Sequence, residues 1–319
     1  MSKFPVDRSS KILVAGHRGM VGGAIVRQLE SQGFQNIVTR SSQDLDLRDR
    51  GKVFVFFEQS QPAVVFLAAA KVGGILANDT YPADFLSDNL RIQLNVMDAA
   101  HEFDVERLVF LGSSCIYPKF AEQPIREDAL MTGALEQTND AYAVAKIAGI
   151  QQIQAMRKQH GRRWISVMPS NLYGPGDNYD PVRSHVLPAL IRRYIEAKAS
   201  GQSTITNWGS GSPLREFLFV DDLADACVFL LENYDSEQHI NVGSGEDISI
   251  RELAEIVAEE VGFDGETLWD ASKPDGTPRK LLDVTKVESL GWKASTGLRE
   301  GIRKSIQDYL SRRDDLARK

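Results

Sequence analysis

Ile12-Leu13-Val14-Ala15-Gly16-His17-Arg18-Gly19-Met20-Val21-Gly22 decides the fold of this chain. Four apolar residues make a short buried strand. Glycines at G-x-x-G-x-x-G spacing then let the backbone turn tightly. Met20 to Gln32 reads as a helix, closed by Gly33. A strand, a glycine turn and a helix N-terminus in that order make a cradle for negative charge, because unpaired backbone N–H groups and the helix dipole face the same point. The expectation is a dinucleotide whose pyrophosphate lies over Gly16, His17, Arg18, Gly19, Met20, Val21 and Gly22. A glycine motif alone would also suit a plain turn; the flanking strand and helix favour the cradle.

Outward from this stretch the alternation continues. Ala63 to Ala68 is continuously apolar, as a strand covered on both faces should be, and Ile37 to Thr39, Leu108 to Leu111 and Ile165 to Met168 read as further strands. Asp84 to Phe103 and Ala141 to Gln159 carry apolar residues at helical spacing. Strands alternating with helices predict an α/β fold, a Rossmann-like doubly wound parallel sheet. Pro169 to Pro181 reads as a loop, after which the pattern loosens. Helices are expected at 186–199, 221–233, 250–261 and 298–312, and 267–279 is turn-rich. The expected division is an NADP-binding domain over 1–170, with returning segments near 214–242, and a smaller C-terminal α/β substrate lobe mainly over 171–319.

The composition is that of an ordinary globular protein, 42% hydrophobic and 25% charged over 319 residues. A net charge of -7 gives no electrostatic case for nucleic acid or an anionic membrane. The first residues lack an apolar run of signal-peptide length, and the longest apolar stretch stops at Lys71. Cys115 and Cys227 are no disulfide framework, so a cytoplasmic protein is expected. No His/Cys spacing suggests a metal site.

The cofactor can be narrowed. An acidic residue after the second strand would hold a ribose 2'-hydroxyl, and a basic one suits a 2'-phosphate. Here the strand ends at Arg40, and Arg18 adds a second cation, so NADP(H) is expected. Arg40 as a solvated strand end is the plainer alternative. Asp46 is a candidate for the adenine end.

Ser113 follows the strand ending at Leu111. Tyr142 and Lys146 lie four apart on one helix face. A nearby ammonium lowers a phenol's pKa, so Tyr142 is expected to exchange a proton with a substrate carbonyl that Ser113 also holds. Tyr-x-x-x-Lys is common by chance as an exposed helix pair; its place in a dinucleotide fold favours catalysis.

These residues resemble the extended short-chain dehydrogenase/reductase superfamily. Ala15 to Gly22, Ala68 to Ile75, Gly112 to Pro118, Asn171 to Pro175 and Asp270 to Lys280 are similar to the GDP-L-fucose synthase family within it, and the resemblance runs from about Lys11 to Leu310. It implies NADPH-dependent 3,5-epimerisation and 4-reduction of GDP-4-keto-6-deoxy-D-mannose to GDP-L-fucose. The family pattern has a second arginine where Ser42 stands, so the 2'-phosphate contact rests more on Arg40 and Arg18.

The resemblance implies that Cys115 is the base and His185 the acid of epimerisation. The chemistry asks for such a pair, since a proton alpha to a ketone leaves one ring face and returns on the other. Burial as a structural thiol and helix capping are the bland alternatives for these two residues. The resemblance also implies cofactor contacts at Leu111, Gly112, Ser113, Ser114, Lys146, Pro169, Ser170, Asn171, Leu172 and His185. Substrate contacts fall to Arg193, Trp208, Arg215, Asp275 and Lys280. Arg193 sits in an Arg192-Arg193 pair that also suits a solvated helix face. Cys227 reads as core.

A nucleotide-sugar 4-epimerase or 4,6-dehydratase is the nearest rival. A dehydratase would be expected to show an Asp-Glu pair after the catalytic hydroxyl, where this chain has Ser114-Cys115. A non-catalytic NADP-binding regulator is a more distant rival, against which Ser113, Tyr142 and Lys146 argue. A homodimer is expected, with Ile147, Ile150 and Ile153 on the Tyr142 helix available for a four-helix bundle.

Overall fold

The computed structural model describes residues 3–181, 184–273 and 275–316. The first half alternates as expected: β1 (Lys11–Ala15), α1 (Met20–Ser31), β2 (Asn36–Val38), α2 (Arg50–Ser60), β3 (Val64–Leu67), α3 (Ile75–Thr80), α4 (Pro82–Glu102), β4 (Arg107–Leu111), α5 (Asp140–His160) and β5 (Ile165–Pro169). The second half is more varied. It contains β6 (Asn171–Tyr173), α6 (Val186–Ala199), β7 (Thr204–Trp208), β8 (Leu214–Phe219), α7 (Val220–Asn233), β9 (Ile240–Val242) and β10 (Asp247–Ser249). It closes with α8 (Ile250–Val261), β11 (Glu266–Asp270), β12 (Arg279–Lys280), α9 (Thr285–Ser289) and α10 (Leu298–Leu316).

The central sheet has the order β2-β1-β3-β4-β5-β9, and its neighbours all pair in parallel. β3, β4 and β5 are buried along their whole length, β3 as an unbroken apolar run, β4 and β5 with the buried polar residues Arg107 and Ser166 among apolar ones. From β1 the chain goes to β2 on one side and then crosses to β3 on the other. The crevice beyond the carboxyl ends of β1 and β3 is therefore a topological switch point, where this architecture takes its ligand.

β8 pairs with β6, β10 and β12, and β7 pairs with β11. A second hydrophobic cluster, around Tyr173, Ile191, Tyr194, Phe219 and Leu253, lies under these short strands. Two sequence expectations are corrected here. Residues 169–181 are not all loop, because β6 docks on β8. The turn-rich segment begins inside β11, which is held by five register pairs with β7. Pro274, in that segment, lies outside the described residues.

α4 and α5 pack side by side against the sheet. Gln93 on α4 donates to the Ala145 carbonyl on α5 at 2.8 Å. The face expected to pair with a second copy is also corrected. Ile150 and Ile153 are 0% and 1% exposed inside this chain, and Ile147 packs against the same core. The apolar groups that face outward are Leu94 on α4 and Val144 on α5.

Candidate active site

The glycine loop packs directly on the end of β3. Gly16 has φ +94°, and a Cβ there would lie 2.7 Å from the Ala69 nitrogen. A Cβ on Gly22 would lie 2.2 Å from the Gly16 carbonyl oxygen. Only hydrogen side chains let the loop fold this tightly under the start of α1. The N-cap of α1 is Gly19, which has no side chain to occupy the first N–H groups, so they remain for an anion. Within the loop, His17 Nδ1 is buried without a partner. A tight glycine cradle with an orphaned polar atom fits a bound pyrophosphate.

Beyond the end of β2, Arg40 and the glycine-loop Arg18 both act on Asp44. The carboxyl of Asp44 is held below its ordinary value first by hydrogen bonds from Ser41 and then by the two guanidinium groups. Arg40 is 5.3 Å from the Phe56 ring and donates to its neighbour Thr39, so it is partly anchored there. The Asp46 carboxylate is not free. Arg48 grips both its oxygens at 2.9 Å.

The carboxyl ends of β4 and β5 form the next wall. Leu111, Gly112, Ser113 and Ser114 run off β4, and a Cβ on Gly112 would strike the Met168 side chain of β5. Pro169 ends β5, Ser170 Oγ is buried and unpartnered, and Leu172 is half-buried. Asn171 turns away, with its amide donating to the Glu216 carbonyl at 2.7 Å.

Ser113, Cys115, Tyr142 and Lys146 come together behind this wall. Ser113 begins a 3-10 turn, and its hydroxyl accepts from the Cys115 N–H at 3.4 Å. Lys146 is 4% exposed, and its ammonium donates to the Leu111 carbonyl at 2.8 Å. It lies 5.8 Å from the centre of the Tyr142 ring, which also meets Phe85 edge-on. Burial lowers the Lys146 pKa to about 8.

Two electrostatic expectations are corrected. Tyr142 is pushed up, not down, first by burial and then by Cys115. The Lys146 ammonium faces a carbonyl and does not set the phenol's titration. Cys115 is also pushed up by burial, against the opposing pull of Lys280, Ser113 and Lys146. At neutral pH both groups therefore carry their protons.

His185 is the N-cap residue of α6, yet its side chain makes no cap hydrogen bond, so capping does not account for it. Its ring is exposed at the surface of a recess that still withholds enough solvent to lower its pKa.

Just beyond His185, a cavity opens between Val186, Leu190, Arg193, Asn207, Trp208 and Trp269. Arg193 faces this cavity and donates to Asn207 Oδ1 at 2.5 Å. Trp208 stands 74% exposed at its rim, with the Lys273 ammonium 5.6 Å from the ring. Trp269 is backed by Arg251 at 4.8 Å. Sequence reasoning missed Asn207 and Trp269. They are register partners of β7 and β11, and this meeting of distant segments leaves no local signal in the sequence. Arg215 is half-buried on β8, with Lys280 opposite it on β12. Asp275 is no free acceptor, because Ser210 N and Oγ donate to its two oxygens at 2.9 and 2.7 Å. It fastens the turn after Trp208. Among the described residues no cluster of His, Cys, Asp and Glu suits a metal ion, and no helix is long and apolar enough to cross a membrane.

A family model for the NAD dependent epimerase/dehydratase family matches residues 12–243. The chain belongs to this family. It is 60% identical over 304 residues to GDP-L-fucose synthase 1 of Arabidopsis thaliana, covering 95% of this chain and 94% of that protein. It is 51% identical over 313 residues to the GDP-L-fucose synthase of Escherichia coli K12, covering 95% and 98%. A solved GDP-L-fucose synthetase from Naegleria fowleri bound to NADP superposes with a TM-score of 0.91 at 29% identity, covering 98% of this chain and 96% of that one. Within the epimerase/dehydratase family, the pairing of a thiol with the Ser-Tyr-Lys group marks what this site can do: hold a ketone oxygen while protons move at the neighbouring carbons.

Proposed function

We propose that this chain converts GDP-4-keto-6-deoxy-D-mannose to GDP-L-fucose by 3,5-epimerisation followed by NADPH-dependent 4-reduction. The observation that carries the reading is the buried thiol of Cys115 beside Ser113, Tyr142 and Lys146. A reductase needs only the last three. A thiol beside them adds a base at the carbons flanking the ketone.

The roles follow from the positions. The Cys115 thiolate takes the proton from C3, and in a second round from C5. The electron pair moves to O4, where hydrogen bonds from Ser113 and Tyr142 hold the enolate. His185 returns a proton on the opposite face and is replenished from solvent, to which its ring is open. Tyr142 then protonates O4. A phenol pushed up by burial stays protonated at neutral pH, which suits a donor. Lys146 fixes the Leu111 end of β4, from which Ser113 projects.

NADPH would be held by the Gly16–Gly22 cradle, by Arg18 and Arg40 at the 2'-phosphate, and by the segments Leu111–Ser114 and Pro169–Leu172, and it would supply the hydride to C4. The nucleotide of the substrate occupies the cavity of Arg193, Asn207, Trp208 and Trp269. Arg215 meets its diphosphate, since forked donors suit phosphate oxygens.

The division into an NADP domain and a substrate lobe near residue 170 belongs to this reading, supported by the two separate hydrophobic clusters. So does a cytoplasmic homodimer, with Leu94 and Val144 at the contact between α4–α5 pairs. Loss of a dimer mass on Leu94→Arg, measured by light scattering, supports that face; a wild-type monomer contradicts it. The test of the activity is NADPH consumption on GDP-4-keto-6-deoxymannose with NMR of the product. GDP-L-fucose is expected, and reduction without inversion at C3 and C5 overturns the epimerase half.

A further inference from the structure

The segment that follows β6, Gly174 to Asp180, returns to the glycine cradle and touches it. A Cβ built on Gly176 would lie 3.4 Å from the Met20 Cα and 4.0 Å from the Met20 nitrogen. Met20 is the first residue of α1, and its N–H is among those left for the pyrophosphate. The turn therefore rests against the helix end that is to carry the cofactor's charge.

The turn's own hydrogen bonds are local. Asp177 N donates to the Gly174 carbonyl at 3.2 Å, and Asn178 N to Asp177 Oδ1 at 2.7 Å. They fix its shape and leave its position open. Its position is set by α10. The Gly176 N–H donates to Asp308 Oδ2 at 3.1 Å, across 132 residues of sequence. Arg312 donates to the same oxygen at 2.7 Å and to the Asp177 carbonyl at 3.4 Å. The Tyr179 hydroxyl donates to the Ser305 carbonyl at 2.9 Å, and its ring lies 4.8 Å from that of Tyr309. Ser305, Asp308, Tyr309 and Arg312 follow one another at i, i+3, i+4 and i+7, so one face of α10 holds the turn. Arg299 and Arg303 anchor the helix elsewhere, on Glu260 of α8 at 3.4 and 2.8 Å.

The tyrosines hold the flank of the turn, and Asp308 holds the point that meets Met20. We propose that Asp308, oriented by Arg312, is a positioning residue for the cofactor: through the Gly176 amide it keeps the turn against the start of α1 and slows NADPH release. The proposal rests on the placement of the cofactor given above. A hydrogen bond to an ionised acceptor is about twice as strong as a neutral one, which suits a single contact spanning two distant segments. Its loss should act mainly on dissociation, by the about 5- to 150-fold usual for coupling between contacts of this kind.

The test is the dissociation rate of NADPH from the full-length protein, timed by stopped-flow fluorescence as excess NADP+ displaces it. Asp308→Ala and Arg312→Met should release NADPH about 5- to 150-fold faster. Asp308→Asn keeps an oxygen for the Gly176 N–H and should recover most of the wild-type rate. Arg303→Met is the control on the same helix. It should lower the urea midpoint, because Glu260 loses its partner, and leave release unchanged. Wild-type release by both Asp308→Ala and Arg312→Met overturns the proposal. Asp308→Asn releasing as fast as Asp308→Ala overturns it too. Equal acceleration by Arg303→Met does the same, and assigns the effect to the packing of α10 at large. No sugar enters this test, so failure of the epimerase-reductase reading would show separately, as reduction without inversion at C3 and C5.

Discussion

Gly22→Ala tests the cofactor cradle with a single methyl group. The added Cβ would lie 2.2 Å from the Gly16 carbonyl oxygen, and real contacts of this kind do not fall below 3.0 Å. The glycine turn and the start of α1 must therefore separate by at least 0.8 Å. Flexible side chains cannot absorb this, because the struck atoms are backbone. Overpacking of this sort costs about 1–3 kcal/mol. If the loop moves to relieve it, the cost falls on the pyrophosphate contacts, and the NADPH Kd rises about 5- to 150-fold. If the loop holds, the cost appears in the unfolding free energy. Both are measured, Kd by calorimetry and stability by urea unfolding. Gly33→Ala is the control. It has φ +80° and no atom within 4 Å of the new Cβ, so it should lose about 1–2 kcal/mol of stability and leave Kd unchanged. A Gly22→Ala protein with wild-type Kd and wild-type urea midpoint would refute the cradle.

Three further outcomes are expected. Tyr142→Phe keeps its ring packed against Phe85 and should bind substrate normally, while reduction falls about 10²–10⁴-fold; near wild-type turnover rules out Tyr142 as the proton donor. With Arg40 beyond the end of β2 and Arg18 in the glycine loop, kcat/KM should favour NADPH over NADH, and Arg40→Ala should narrow the gap; equal values for the wild type contradict the 2'-phosphate assignment. Burial holds the Glu216 carboxyl at about 7, above its ordinary 4.5, despite three backbone N–H donors. The folded state keeps a proton there that the unfolded state has lost, so this contribution to stability is full below about 4.5 and gone above about 7. Measured against Glu216→Gln in urea, the wild type should lose about 2–3 kcal/mol between pH 5 and pH 7.5, and a pH-independent difference excludes the shift.

Local order was the most legible part of the chain. α6 and α8 begin and end where the apolar spacing placed them, and α8 carries its own signals, a Ser249/Glu252 capping box and Gly262 at the C-cap. α2 escaped notice because Val-Phe-Val-Phe-Phe in its middle has no helical period and reads equally as a strand. β6 and β11 were hidden because each is defined by a partner far away in sequence. The site divided in the same way. Glycine spacing and Tyr-x-x-x-Lys are local and could be read directly. The raised Cys115 and Tyr142 and the engagement of Asp275 by Ser210 depend on burial and on distant segments meeting, so no spacing rule reveals them.

The central claim is that one buried thiol gives this site a second chemistry. Solvent deuterium incorporation into GDP-4-keto-6-deoxymannose, without NADPH, measures it directly. The wild type should exchange at both C3 and C5. Cys115→Ser should lose that exchange, because an alcohol is a far poorer base than a thiolate, while still binding NADPH through the glycine cradle. Exchange by Cys115→Ser at the wild-type rate would contradict the account.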